Sequence, residues 1–219
     1  MDQLLSRRSL LAAGCALPFL ALPGCASLPG FGMVDALRRL LTLSSQRAFA
    51  RLLQEDGFFA DEAARIPLPG GGAIAGALLR TPVVQNQLLR LMNRAAANAA
   101  EVAAPMVYDS IRSMSFGDAV SLVRGGPTAA TDFLQRAMGN TIVDAMFPGV
   151  GNALRSLDNG ILNQVIRTAT GIDFAGLQRH VTESAASGIY RAIGREEAAI
   201  RANPRATGDP LIMGVFGVL

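Results

Sequence analysis

Three pairs of adjacent carboxylates punctuate the chain: Glu55-Asp56, Asp61-Glu62 and Glu196-Glu197. Neighbouring acids can share a proton for acid–base work or hold a hard cation. None sits in the spacing of a calcium loop. Solvated helix-end and loop charges account for the first two pairs, and an exposed helix face for the third. Asn93-Arg94 is less ordinary, because it falls mid-helix beside an apolar stripe, where Asn sacrifices propensity. Such an asparagine is expected to tie helices together, with Asp56 or Asp118 as partner, since buried polar groups find partners within the protein. Should Asp56, Asn93, Arg94 and Asp118 converge in a solvent-reachable pocket, they would form a polar site suited to hydrolase-like chemistry. These four are the candidate site residues.

Other chemistries lack their parts. His180 is the only histidine, so a Ser-His-Asp triad or a His-rich metal site has one candidate at most, and no nucleophile or ligand is spaced near it. It reads as a structural histidine flanking an apolar stripe. Gly70-Gly71-Gly72 resembles a phosphate cradle, but a P-loop requires Lys and the chain has none. Gly149-Val150-Gly151 lacks the third glycine and the preceding strand of a dinucleotide fingerprint. No metal site and no cofactor are expected.

The clearest chemical signal is near the N-terminus. Ser6-Arg7-Arg8-Ser9-Leu10-Leu11 resembles a twin-arginine export signal, and an apolar run from Leu10 to Leu22 follows. That run is too short for a membrane span, which needs about 20 residues, and suits a signal-peptide core. It ends in Leu22-Pro23-Gly24-Cys25, which resembles a lipobox, with Pro23 an atypical residue at its position. Cys25 is therefore the expected lipidation site. Two or more acyl chains would hold the protein at a membrane, each buried CH₂ contributing about 0.8 kcal/mol. Residue 26 is Ala rather than Asp, which favours the periplasmic face of the outer membrane.

Charge and cysteine content fit that address. Both cysteines, Cys15 and Cys25, precede residue 26, so disulfides have no part in the fold. The formal charge is +3 and the cations, all Arg, are dispersed among acids. Nucleic-acid binding requires clustered cations and is not expected. The partners expected are the membrane, through the acyl chains, and an envelope protein or lipid.

The elements that would position these residues are helical. Trp is absent, Tyr occurs twice, and Ala and Leu dominate, a composition that favours helix over sheet. Residues 1–24 form the signal, 25–32 a Pro/Gly-rich tether and 33–219 one all-α domain of seven or eight helices. The first helix begins near Met33 and stops at Gly57. Residues 65–72 are extended, forced by Pro67 and Pro69. Helices follow at 82–101 and, opened by Pro105, at 105–114. A short helix takes Ser115 as N-cap with Asp118 at N3. The next opens at Pro127 and carries a buried face from Phe133 to Met146, before a break at 148–151. Small helices cover 152–157 and 161–170. The longest spans 174–202, with Glu197 and Arg201 as an i,i+4 pair, and a terminal helix follows Asp209-Pro210.

Several blocks of the chain together resemble one family. They are Glu55-Asp56-Gly57-Phe58-Phe59 with Arg65-Ile66-Pro67-Leu68-Pro69, Met92-Asn93-Arg94-Ala95-Ala96, Met114-Ser115-Phe116-Gly117-Asp118-Ala119, Gly125-Gly126-Pro127-Thr128-Ala129-Ala130-Thr131, and Asn203-Pro204 with Val215-Phe216-Gly217. In this order they are similar to the bacterial domain-of-unknown-function family 4197, over about residues 33–217. Gly117, Pro127-Thr128 and Ala97 stand where the family pattern has acids. The resemblance implies an exported, often lipid-anchored helical protein and carries no activity with it. The expectation is a non-enzymatic envelope binding module. The alternatives are an enzyme at the four-residue polar cluster or a carrier of an apolar ligand such as lipid.

Overall fold

The structure, a computed structural model, describes residues 29–69, 81–156 and 174–217. The described residues are helical and contain no strand. The helices are α1 (Pro29–Leu52), α2 (Gly57–Ala60), α3 (Pro82–Ser113), α4 (Ala119–Val123), α5 (Ala129–Met138), α6 (Thr141–Ser156), α7 (Phe174–Ala202) and α8 (Pro210–Phe216), with a 3₁₀ turn at Pro204–Thr207 before α8. Cys25, the signal segment, Gly70-Gly71-Gly72 and the helix expected at 161–170 lie outside the described residues.

Helical spacing of apolar residues builds the core. On α1, Leu37, Leu40, Leu41, Ala48, Phe49 and Leu52 are buried, recur at spacings of three, four and seven residues, and share one face. Burying each large side chain contributes about 1.5–3 kcal/mol. The stripe on α3 is mostly alanine, at 95, 96, 99, 100, 103 and 104. Small side chains let another helix approach closely, and α6 packs against α3 more extensively than any other pair. At their contact a Cβ on Gly149 would stand 3.5 Å from that of Ala99. The alanines thus serve packing as well as propensity. The long α7 lies along α1 and also touches α3, α5 and α6.

Six boundaries differ from those expected. α1 begins at Pro29, ahead of Met33. α3 runs unbroken through Pro105, and α6 through Pro148. Both prolines are exposed, so the carbonyl left without an N–H partner faces water, which lowers the cost of an internal proline. The stretch expected as one helix from Pro127 divides into α5 and α6 at Gly139, whose φ of 52° falls in the region favoured by glycine. Asp118, not Ser115, is the N-cap of α4, and its carboxylate accepts from Ser121 N–H at 3.0 Å. Gly57 does not simply stop α1. It opens α2, where a Cβ would stand 2.3 Å from the Arg51 carbonyl oxygen, so no other residue fits.

The Glu196-Glu197 pair is buried, contrary to the exposed face expected. Glu196 is 3% exposed and pairs with Arg51 Nη2 at 2.9 Å. Glu197 is fully buried and accepts from the backbone N–H of Ala130 and Thr131, from Thr131 Oγ1 and from Arg201 Nε. Arg201 in turn donates to the Leu122 and Val123 carbonyls at the end of α4 and stacks over Phe216 of α8. The expected i,i+4 pair is therefore the junction of four helices. It satisfies the free N–H groups of α5 and the free carbonyls of α4 with one pair of side chains.

Candidate functional site

The four sequence candidates engage separate partners. Asn93 is 2% exposed and grips the backbone of Ile66: its Oδ1 accepts from Ile66 N–H at 3.0 Å, and its Nδ2 donates to the Ile66 carbonyl at 3.3 Å and the Leu89 carbonyl at 2.7 Å. The tie expected for Asn93 exists, but its partner is the extended segment rather than Asp56 or Asp118. An amide side chain satisfies both backbone groups of one residue, which a carboxylate cannot. Asp56 adopts a left-handed φ of 56° and pairs with Arg90, which lies over the Phe59 ring at 4.4 Å. Arg94 is exposed on α3. Asp118 caps α4, and the hydrogen bond from Ser121 lowers its pKa below the ordinary carboxylate value.

The side chains next in line for chemistry hold residues 61–67 against α7. Asp61 receives both terminal nitrogens of Arg195 and also accepts from Ala63 and Ala64 N–H. Arg195 lowers the Asp61 pKa, against a smaller opposing effect of burial. Arg191 Nε donates to the Ala63 carbonyl at 2.6 Å. His180 Nε2 lies 2.8 Å from the Pro67 carbonyl. A carbonyl only accepts, so Nε2 carries the proton. Between these contacts Gly188 lets the segment touch the helix, since a Cβ there would be 2.8 Å from Ala64 O. Residues 61 to 67 thus run antiparallel to residues 195 to 180. Residues 61–65 form a turn, closed by the N–H groups of Ala64 and Arg65 on the Asp61 carbonyl, and the chain is irregular from 65 to 68.

Of the grooves between described helices, which include one of about 490 Å³ beside α4, α7 and α8, two carry both acids and arginines. One, of about 610 Å³, lies between α1, the end of α3 and α8, with Arg38, Arg39 and Arg112 along it. Each of these cations is already paired, with Asp35, Asp209 and Asp109 respectively. The other, of about 400 Å³, runs between α5 and α7. Its α5 wall carries Thr128, Thr131, Asp132 and Gln135, and its α7 wall Ser187, Tyr190, Arg191 and Gly194. Both sets recur at helical spacing, three, four and seven residues apart. The Glu197 contacts place the start of α5 near the far end of this stripe.

Each of these two grooves has a buried polar atom without a hydrogen-bond partner, Arg38 Nε in the first and the Tyr190 hydroxyl in the second. Tyr190 is 6% exposed. Such a group is costly unless something else satisfies it. Burial pushes its pKa up to about 12, so it is a standing donor at neutral pH. Opposite charges also share the second groove without pairing. Asp132 takes one hydrogen bond, from Thr128 Oγ1 at 3.2 Å, and the two terminal nitrogens of Arg191 have no partner among the described residues. Sequence reasoning missed this site because it exists only where two distant helices meet. The one signal was a polar stripe at Ser187, Tyr190, Arg191 and Gly194 on an otherwise apolar-faced helix.

Among the described residues no helix is long and apolar enough to cross a membrane, and no group of three or more His, Cys, Asp or Glu could hold a metal ion. A family model, described as protein of unknown function (DUF4197), matches residues 28–217. No curated protein and no solved structure matches the chain.

Proposed function

We propose that this chain, which belongs to the family of proteins of unknown function DUF4197, is a non-enzymatic binding module of the bacterial envelope. In this reading it is exported by the twin-arginine route and held at the periplasmic face of a membrane by an acylated Cys25. The α5–α7 groove is its recognition site. The observation that carries the reading is the Tyr190 hydroxyl, a buried donor left without a partner beside a polar groove of ligand size. The Glu197 ties support it, because they fix the α5 wall against the α7 wall.

The address and the binding are tested separately. Labelling of the native host with a palmitate analogue should tag the protein, and Cys25→Ala should lose both the tag and the membrane fraction. Wild type without label would overturn the anchor. Native mass spectrometry of protein taken from envelopes should show a co-purifying small molecule, absent from Ser187→Phe, which fills the groove. Equal mass profiles for the two proteins would overturn the recognition site.

A further inference from the structure

We infer that the α5–α7 groove takes a small zwitterion, carrying an ammonium and a carboxylate on one short backbone, as an amino acid or a dipeptide does. This rests on the groove being the binding site and adds the chemistry of its ligand. Three observations converge. First, Asp132 and Arg191 line the same groove from its two walls, yet no ion pair joins them. An unpaired acid and an unpaired guanidinium sharing a groove of about 400 Å³ suit a ligand that brings both opposite charges with it. Second, Arg191 is held in place by its Nε bond to the Ala63 carbonyl, which leaves the fork of terminal nitrogens for a carboxylate. Third, Tyr190 lines the groove and its buried hydroxyl lacks an acceptor, which a ligand carboxylate supplies once the wall shifts enough to uncover it.

The rest of the lining agrees. Gln135 and Ser187 offer an amide and a hydroxyl, and neither is hydrogen-bonded among the described residues. The α5 N-terminus, otherwise the natural seat of an anion, is taken by the Glu197 carboxylate. An anionic ligand without an ammonium would therefore leave Asp132 facing it. A cation alone would leave Tyr190 and Arg191 unmatched. The groove between α1 and α8 also has an unpartnered buried donor, Arg38 Nε, but each of its arginines is ion-paired to an acid, so it offers no free pair of opposite charges.

The test is calorimetric titration of the full-length protein in detergent with the common amino acids and with alanyl-alanine. N-acetyl and amide derivatives of the best ligand, and glucose as an uncharged polar control, complete the panel. Binding of a free zwitterion, weakened roughly tenfold or more when either charged end is blocked, is expected. Asp132→Asn should weaken it by a similar factor and abolish the penalty for blocking the amino end. Tyr190→Phe removes only the hydroxyl, so it should weaken binding without lowering the thermal midpoint. Absence of binding by every amino acid and dipeptide at millimolar concentration overturns the inference, as does a blocked derivative that binds as well as its parent. If envelope-purified protein still carries a small molecule lost in Ser187→Phe, the groove remains a binding site and only its ligand class is refuted. If it carries none, both readings fall.

Discussion

The Glu197 carboxylate accepts a hydrogen bond from the backbone N–H of Thr131 at 2.7 Å, 66 residues away in sequence. Through this bond α7 supplies the cap that α5 lacks, since Thr128, its N-cap residue, makes no side-chain cap bond of its own. The carboxylate is fully buried, and Arg201 is its charge partner.

Glu197→Ala should therefore strand Arg201 and reopen the α5 N-terminus. Breaking a buried pair from one side costs about 3–5 kcal/mol. Glu197→Gln keeps one acceptor and should cost less. Urea denaturation of the two variants checks the order; equal midpoints would refute the capping role.

Gly188 and Gly149 should respond oppositely to alanine. Both sit within helices, where Gly→Ala ordinarily stabilises by about 0.5–1 kcal/mol. At Gly149 the added Cβ meets Ala99 at ordinary contact distance, so Gly149→Ala should raise the thermal midpoint. At Gly188 it meets the Ala64 backbone at 2.8 Å, which cannot yield cheaply. Gly188→Ala should cost about 1–3 kcal/mol, and calorimetry distinguishes the signs.

Asn93→Ala should release residue 66 from α3. Two backbone groups of Ile66 and the Leu89 carbonyl lose a partner, at about 1–3 kcal/mol for a buried group left unsatisfied. Amide hydrogen exchange should accelerate first at Ile66. Unchanged protection there would show that Asn93 is not the clamp.

Asp61 makes stability depend on pH in a defined direction. Arg195 holds its pKa below the ordinary value of 3.8. A depressed carboxylate contributes stability above its unfolded pKa and loses it as pH falls through the folded one. Wild type should therefore exceed Asp61→Asn in urea midpoint at pH 7, and the gap should close as pH falls below about 4. A gap constant from pH 7 to 2 would argue against this coupling.

Much of this was legible in residue spacing. The all-α class, the extended stretch after Arg65, and the Phe174–Ala202 helix follow from periodicity and proline. Asn93 announced itself by being mid-helix, although the identity of its partner did not. The errors have a common origin. Residue type alone misplaces Pro105, Pro148 and the Glu196-Glu197 pair, because their tolerance depends on which side of the helix faces water. Two exposed prolines read as breaks and two buried glutamates read as solvated for the same reason. The groove was invisible because Asp132 and Arg191 are brought together only by packing.

The strap formed by residues 61–67 also orders events in time. Its hydrogen-bond partners on α7 lie 113 to 134 residues further along the chain. A nascent chain that has not yet emitted α7 can fasten this stretch only at Ile66, through Asn93 of α3, so the ties of residues 61–64 wait on synthesis of the C-terminal quarter. Contacts of such separation slow folding. Stalled ribosomes carrying chains that end before residue 174 should consequently display residues 61–64 to protease, and those exposing all of α7 should protect them.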